Sequence, residues 1–578
     1  MHQPTTFNLE HYAARTRNYF ERLVDADGLP YFNVFWTTPV EAAHDWPDFG
    51  DVMSRQWQGA VMMRRMTGQE AATEKIWERK TLALIDPLDG QLHRPERSYC
   101  SAVVEDASLT LYALATAALD SGDERLKAAA VKMAEGYLRR LREEHLPDSI
   151  FGGFPIKSLM VTARLLGSEA ALEAARRVVE RSILHSPTFP PNNVFGPNGH
   201  MHGNLRSMSG AADYALATGD PVLYSRMDAV YRFVKSTGTR FGYLPEAVNQ
   251  RTSAMIGCET CALMDFAGIG VTLANHGHPE YWGDMERLAR NHYVESQVSD
   301  VSWLEAGHGG QTLGSQPDTE QFTWRDVGQR ILGAWAGWSS PNHILAYRET
   351  LNAHWGGAEL RDKTRALQNC CGGSGVHGLF ILWKNAARYE DGVLSVNMHL
   401  DKKLPQAEIR CEQPYWGRLR ITLSQDCEVR LRIPEFTTAA EMQVQVNGPA
   451  GSDSQPQPFR AVGNYLELGP QRAGDLIQVN YPLPVSSEEI SVGNPGYRQW
   501  PYRVTWKGDT VVRMEALENE VRTAYSDFDQ CEREVFYGPE GPGPLYQRDD
   551  MLRDTQPADA EIHLDDGGLD LWKIGRFP

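Results

Sequence analysis

The sequence predicts a multidomain α+β protein, an (α/α)6 barrel followed by C-terminal β-sandwich modules. Three observations carry this reading. A helix–glycine–helix unit recurs through the first two thirds of the chain, hydrophobic periodicity switches from helical to alternating after Asp391-Gly392, and two cysteine-bearing stretches about a hundred residues apart lie in the helical part.

The recurring unit is marked by turns at Thr67-Gly68-Gln69-Glu70, Ser121-Gly122-Asp123-Glu124, Leu166-Gly167-Ser168-Glu169, Thr218-Gly219-Asp220-Pro221 and His276-Gly277-His278-Pro279-Glu280. Their glycines are 54, 45, 52 and 58 residues apart. Glycine just past a helix end, followed by a polar cap and an acid or proline in the next first turn, stops one helix and starts another. Each interval holds two helices of ordinary length with their loops. About six such pairs fit before the composition changes near Tyr389, enough to close a ring of hairpins. The uneven period leaves an irregular helical domain as the alternative.

Beyond Asp391-Gly392 the apolar residues alternate. Leu419, Ile421 and Leu423 share one face, as do Val429, Leu431 and Ile433, and Met442, Val444 and Val446, with glycine, proline and asparagine in the turns between. Short alternating runs of this kind build a sandwich. Val492-Gly493-Asn494-Pro495-Gly496 reads as a boundary, and Tyr502–Trp506 and Thr510–Met514 pair through Lys507-Gly508-Asp509. The expected division is a barrel over 1–390, a β-sandwich over 391–495 and a smaller β module over 496–578.

Asn369-Cys370-Cys371-Gly372-Gly373 opens an apolar run at helical spacing through Trp383. Adjacent cysteines cannot close an ordinary disulfide without strain, so two soft ligands for one metal ion is the better use. Gly257-Cys258-Glu259-Thr260-Cys261 can supply the rest, and the two stretches read as halves of one zinc–thiolate site. Glu259 with three cysteines and an all-cysteine structural site using Cys258 are both open on the residues alone.

The bulk properties exclude several classes. A formal charge of −18 argues against nucleic acid or an anionic membrane as partner, and no apolar run is long enough to span a bilayer. The first residues lack a basic stretch followed by an apolar one, so a cytoplasmic location is expected. Eight cysteines, four of them clustered, fit metal binding or catalysis better than a disulfide framework. Self-association as a homo-oligomer is left open.

Glu-Thr-Cys followed a hundred residues later by Asn-Cys-Cys, at the head of a helix leading into strands, resembles the zinc- and cysteine-dependent β-L-arabinofuranosidases of glycoside hydrolase family 127. The resemblance implies an (α/α)6 barrel with β-sandwich modules behind it. It also implies that Glu259, Cys261, Cys370 and Cys371 are zinc ligands and that Cys370 is the nucleophile. Pro245-Glu246-Ala247, 13 residues before Glu259, resembles the motif of the acid/base glutamate. Met201-His202-Gly203-Asn204 resembles a sugar-contacting segment, and Asp48-Phe49-Gly50-Asp51-Val52 an early acidic one, which makes His202 and Asp51 substrate-binding candidates. Two departures stand out. Gly372-Gly373 replaces the proline usual after the paired cysteines. Ser98-Tyr99-Cys100-Ser101 and Phe151-Gly152-Gly153-Phe154 carry no histidine where two further active-site histidines are expected.

The chemistry follows without the family name. A retaining glycosidase pairs a nucleophile with a proton donor, usually two carboxylates. An ionised thiolate can replace one of them, and metal coordination ionises a thiol whose ordinary pKa is about 8.5. Taken with the family resemblance, this chemistry implies an exo-acting hydrolase releasing a terminal β-L-arabinofuranose or related sugar from a small glycan. A carboxylate-dependent (α/α)6 hydrolase or lyase with structural zinc, and a non-catalytic carbohydrate-binding homologue, are the alternatives. Trp36, Trp46, Trp57, Trp335, Trp338 and Trp355 are available to stack on sugar rings or to fill the core.

Overall fold

The computed structural model describes residues 7–577 apart from 36–39, 46–47, 96–103, 144–151, 187–188, 190–194, 196–198, 250–256, 302–316, 341–342, 345, 349–363, 448–454, 496–497, 518–522, 527–530 and 537–561. The helices are α1 Leu9–Arg22, α2 Asp51–Thr67, α3 Glu74–Leu84, α4 Val104–Ser121, α5 Glu124–Glu143, α6 Pro155–Leu166, α7 Glu169–Val179, α8 Met201–Thr218, α9 Pro221–Thr237, α10 Thr260–Asn275, α11 Trp282–Leu288 and α12 Cys370–Asn385. A short turn at Val327–Arg330 is left unlabelled.

The even-numbered helices form an inner ring. Each packs on the next, α2 on α4, α4 on α6, α6 on α8, α8 on α10 and α10 on α12, and α12 closes the ring on α2. The odd-numbered helices lie outside, each against its inner partner, with α1 covering the seam between α12 and α2. Sequence composition sorts the two sets. Every residue of α12 is buried, as are Thr260–Ala274 of α10. The outer α5 buries only one stripe, Leu126, Ala130, Met133, Ala134, Gly136, Tyr137 and Leu138, and faces solvent with its arginines and glutamates.

The five glycines that set the period all follow inner helices. Gly68, Gly122, Gly167, Gly219 and Gly277 have positive φ after α2, α4, α6, α8 and α10 respectively, a conformation that glycine alone adopts without a Cβ penalty. Ser168 caps α7 through the Ala171 N–H, and Asp220 caps α9 through the Val222 and Leu223 N–H groups. Short turns therefore occupy the end of the ring where inner helices finish, and the longer connections gather where they begin.

The helix-to-strand switch falls at Ala386, between α12 and strand 387–390, rather than at Asp391-Gly392, which is the turn joining that strand to 393–396. Two sheets follow. One has the strand order 460–462, 465–471, 427–432, 393–396, 387–390, and the other 402–404, 407–411, 418–423, 476–480, 443–447, 455–456. Leu394, Val396, Ile409, Leu419, Ile421, Val429, Leu431, Ile477 and Val479 close a common core between them, as alternation predicts. A third sheet comprises Val485–Asn494, Arg498–Lys507 and Thr510–Ala516, with residue 495 in the turn of its first hairpin. Its second hairpin pairs Trp506 with Val511 and Lys507 with Thr510, so Lys507 belongs to the strand and Gly508-Asp509 alone form the turn. Val492, Trp500, Tyr502, Val504 and Trp506 join the core of the barrel rather than that of the sandwich. The final segment also returns to the barrel, where Leu571 and Trp572 are fully buried. No helix among the described residues is long and apolar enough to cross a membrane.

The inner ring is tightest at α12. A Cβ added to Gly373 would lie 2.1 Å from the Arg55 carbonyl oxygen of α2, and one added to Gly372 would lie 2.2 Å from the Tyr19 hydroxyl of α1. The glycine pair that departs from the family pattern is thus required by the approach of two neighbouring helices. Gly373→Ala is expected to lower stability by about 1–3 kcal/mol in chemical denaturation, the usual cost of overpacking. Gly575→Ala, with nothing within 4 Å of its added Cβ, is expected to stay within about 0.5 kcal/mol.

Candidate active site

The first turns of the inner helices carry the site. Cys370 and Cys371 are the first two residues of α12, Cys261 is the second residue of α10, and Glu259 is its N-cap. Asn369, which precedes α12, is fixed by its side-chain amide donating to the Tyr31 carbonyl at 2.9 Å and its N–H to the Phe32 carbonyl at 2.8 Å. Strand 364–368 pairs with strand 33–35 immediately before it, so the helix start is held by a sheet. The α10 start is held in the same way: Cys258 bridges Ser339, and the Thr260 hydroxyl donates to the Ala336 carbonyl at 2.7 Å.

One ligand atom from each of Glu259, Cys261, Cys370 and Cys371 lies within 4.8 Å of the other three. Cys261 Sγ is 3.2 Å from Cys371 Sγ, which is 4.0 Å from Cys370 Sγ. Tetrahedral coordination with metal–sulfur bonds of about 2.3 Å needs sulfurs about 3.8 Å apart, and the two separations bracket that value. The donor set, three thiols and one carboxylate, fits a single borderline-soft ion. Cys258 takes no part, since its buried sulfur accepts the Leu244 N–H at 3.5 Å. The four-donor cluster found among the described residues includes Glu259 and not Cys258.

The three thiols are unequal. Hydrogen bonds from Cys261 and Cys371, helped by the Arg55 guanidinium, outweigh burial and the Glu259 charge and lower the pKa of the Cys370 thiol. Burial pushes Cys261 up to about 11 and Cys371 upward as well. The positive ends of the α10 and α12 dipoles favour negative charge at the same place. Cys370 is also the least enclosed of the three, 9% exposed against 0% for Cys261 and Cys371.

Glu246 sits on a segment threaded between the starts of α8 and α10. Its N–H donates to the Gly257 carbonyl at 2.9 Å, and its own carbonyl accepts the Met201 N–H at 2.8 Å. The Trp338 indole N–H donates to its carboxylate at 3.1 Å. His202 is buried, with Nδ1 2.7 Å from the Asp265 carboxylate one helical turn beyond Cys261 and its ring edge-on to Phe154. Burial opposes protonation of His202, but Cys261, Glu259 and Asp265 outweigh it and raise its pKa.

Asp51 is the first residue of α2, and Gly50 is the N-cap. The Asp51 carboxylate holds Arg55 Nε one turn along. Arg55 Nη1 lies 3.6 Å from Cys261 Sγ and 3.0 Å from Ser374 Oγ. A cavity of about 10 Å³, room for one water, adjoins Arg55 and is also lined by Gln58, Arg206, Ser374 and His377.

His200, two residues before His202, also reaches the donor cluster. Its Nδ1 caps α8 through the Gly203 N–H at 3.3 Å, and its Nε2 is 3.2 Å from the Glu259 carboxylate. Burial lowers its pKa, but the Glu259 hydrogen bond and the charges of Glu259 and Glu246 reverse that and raise it. Arg55 was legible as an i, i+4 partner of Asp51 at a helix start, and Asp265 as an i, i+4 neighbour of Cys261. Among the tryptophans, Trp57 and Trp335 are core residues and Trp338 is on Glu246. Trp36, Trp46, Trp355 and the Ser98–Ser101 stretch lie outside the described residues, as does Phe151.

No family model and no curated protein matches the sequence. Solved structures do match the fold. A GH127 β-L-arabinofuranosidase from Geobacillus stearothermophilus T6 is 14% identical, with 87% of this chain and 80% of that one covered at a TM-score of 0.52. A second GH127 β-arabinofuranosidase is 14% identical, with coverage of 94% and 95% and a TM-score of 0.53. A protein described as a glycoside hydrolase is 15% identical over 85% of each chain at a TM-score of 0.55. The likeness is one of fold, spanning barrel and β modules together.

The four-donor cluster makes a direct demand. Metal analysis of purified protein is expected to find about one divalent ion per chain, as one four-ligand site requires. Cys371→Ser is expected to lose that ion on dialysis while Cys258→Ser retains it.

Proposed function

We propose that the chain is a retaining exo-acting glycoside hydrolase of the family 127 type, with a zinc-bound Cys370 as nucleophile and Glu246 as acid/base. The observation that carries the reading is the gathering of Glu259, Cys261, Cys370 and Cys371 at one end of an (α/α)6 ring, with Cys370 the most accessible of the sulfurs. Zinc, held by those four residues, supplies a Lewis acid that keeps a thiol ionised at neutral pH.

The chain's own residues supply the rest. Cys370 Sγ attacks the anomeric carbon, a carbon–sulfur bond forms, and the bond to the leaving oxygen breaks as Glu246 transfers its proton to that oxygen. Water then attacks the same carbon, Glu246 takes the water's proton, and the sulfur departs as thiolate. Two inversions give net retention. The Trp338 indole fixes one Glu246 oxygen, leaving the carboxyl oriented for both transfers. His202, steadied by Asp265, is the group we propose for binding a sugar hydroxyl, and Asp51 acts on the site through Arg55. The substrate proposed is a small glycan ending in β-L-arabinofuranose. A reducing compartment such as the cytoplasm suits three thiols that must stay unoxidised.

A panel of aryl glycosides tests the reading, beginning with the β-L-arabinofuranoside. Cys370→Ser is expected to reduce turnover at least about 10³-fold with an unchanged far-UV spectrum. Full activity in that variant would contradict the mechanism. Glu246→Ala is expected to lose about 10²–10⁴-fold on substrates with poor leaving groups, and less on activated ones that need no proton. Azide is expected to restore its second step and yield a glycosyl azide of retained configuration.

A further inference from the structure

We infer that Arg55, positioned by Asp51, supports the metal centre by donating a cationic hydrogen bond to the Cys261 sulfur. The inference rests on the metal-centre reading and extends it to residues that hold no metal themselves. Three thiolates and one carboxylate around a divalent ion carry a net charge of −2. Such a charge, closed in by helices, needs a nearby cation with hydrogen-bonding groups.

Arg55 has that geometry. It is 6% exposed, its Nη1 reaches Cys261 Sγ at 3.6 Å, and the same nitrogen donates to Ser374 Oγ at 3.0 Å. Ser374 donates in turn to the Cys370 carbonyl at 3.2 Å, so the guanidinium is tied to the starts of both metal-bearing helices. Its other edge is fixed by Asp51, itself 6% exposed and four residues earlier on the same helix. A planar guanidinium can meet a carboxylate along one edge and a sulfur and hydroxyl along another, and a lysine cannot hold all three. The Asp51 carboxylate, read from sequence as a sugar contact, is here a positioning residue.

The consequence is electronic. A hydrogen bond from a cation lowers the energy of the sulfur lone pairs and offsets part of the ligand set's negative charge. Removing it leaves that charge less compensated and the Cys261 sulfur less firmly placed, so metal affinity falls.

The test uses full-length protein loaded with zinc or with cobalt(II). Arg55→Gln is expected to weaken zinc binding about 10–100-fold in chelator competition, the range usual for groups that support metal ligands. It is also expected to move the sulfur-to-cobalt charge-transfer band to lower energy. Asp51→Asn should shift both readouts in the same direction, and the double variant should be no worse than Arg55→Gln alone. Arg55→Lys should recover part of the affinity. Asp51→Asn carries the same two readouts should Arg55→Gln fail to fold. Unchanged affinity and an unchanged band in variants of a protein that does bind metal would overturn this inference alone. Failure of the unsubstituted protein to take up zinc or cobalt would overturn the metal centre and the inference together.

Discussion

The structure depends on six inner helices beginning at the same end of a closed ring. A helix start carries N–H groups that have no partner within the helix. Negative charge is stabilised there before any specific side chain is considered. Three sulfurs, the Glu259 carboxylate and the supporting residues Asp51, His200 and His202 all occur within the first turns of α2, α8, α10 and α12. The opposite end, where inner helices finish in short glycine turns, holds none of them.

Packing at α12 turns this tendency into a defined geometry. The helix is buried along its whole length, so its start cannot drift. It packs on α2 and α10, while Gly373 lets the α2 backbone approach and Gly372 makes room for the Tyr19 side chain of α1. Two consecutive residues of one helix cannot by themselves surround an ion. They need the second helix, α10, and the N-cap before it, and the sheet strands at 33–35 and 364–368 fix one start while Ser339 and Ala336 fix the other. The site is therefore a property of the closed ring.

The parts of this arrangement that recur along the chain were legible in the sequence. Gly68, Gly122, Gly167, Gly219 and Gly277 mark the ends of successive inner helices, and alternation after Asp391 marks the sandwich. Cysteine chemistry singled out the Cys370–Cys371 and Glu259–Cys261 stretches. Contacts between distant segments left weaker traces. The choice between Glu259 and Cys258 turns on which side of the α10 start faces the ring, and no spacing rule states that. His200 and His202 are two residues apart and point to different partners, Glu259 and Asp265, 59 and 63 positions downstream. The return of Val492, Trp500 and Trp572 to the barrel core is equally silent in local pattern, since each looks like an ordinary strand or loop residue.

The most direct measurement is X-ray absorption at the zinc edge on protein as purified. The expected result is one zinc per chain with three sulfur neighbours at about 2.3 Å and one oxygen at about 2.0 Å. Four sulfurs, or no bound zinc after growth in its presence, would contradict the account.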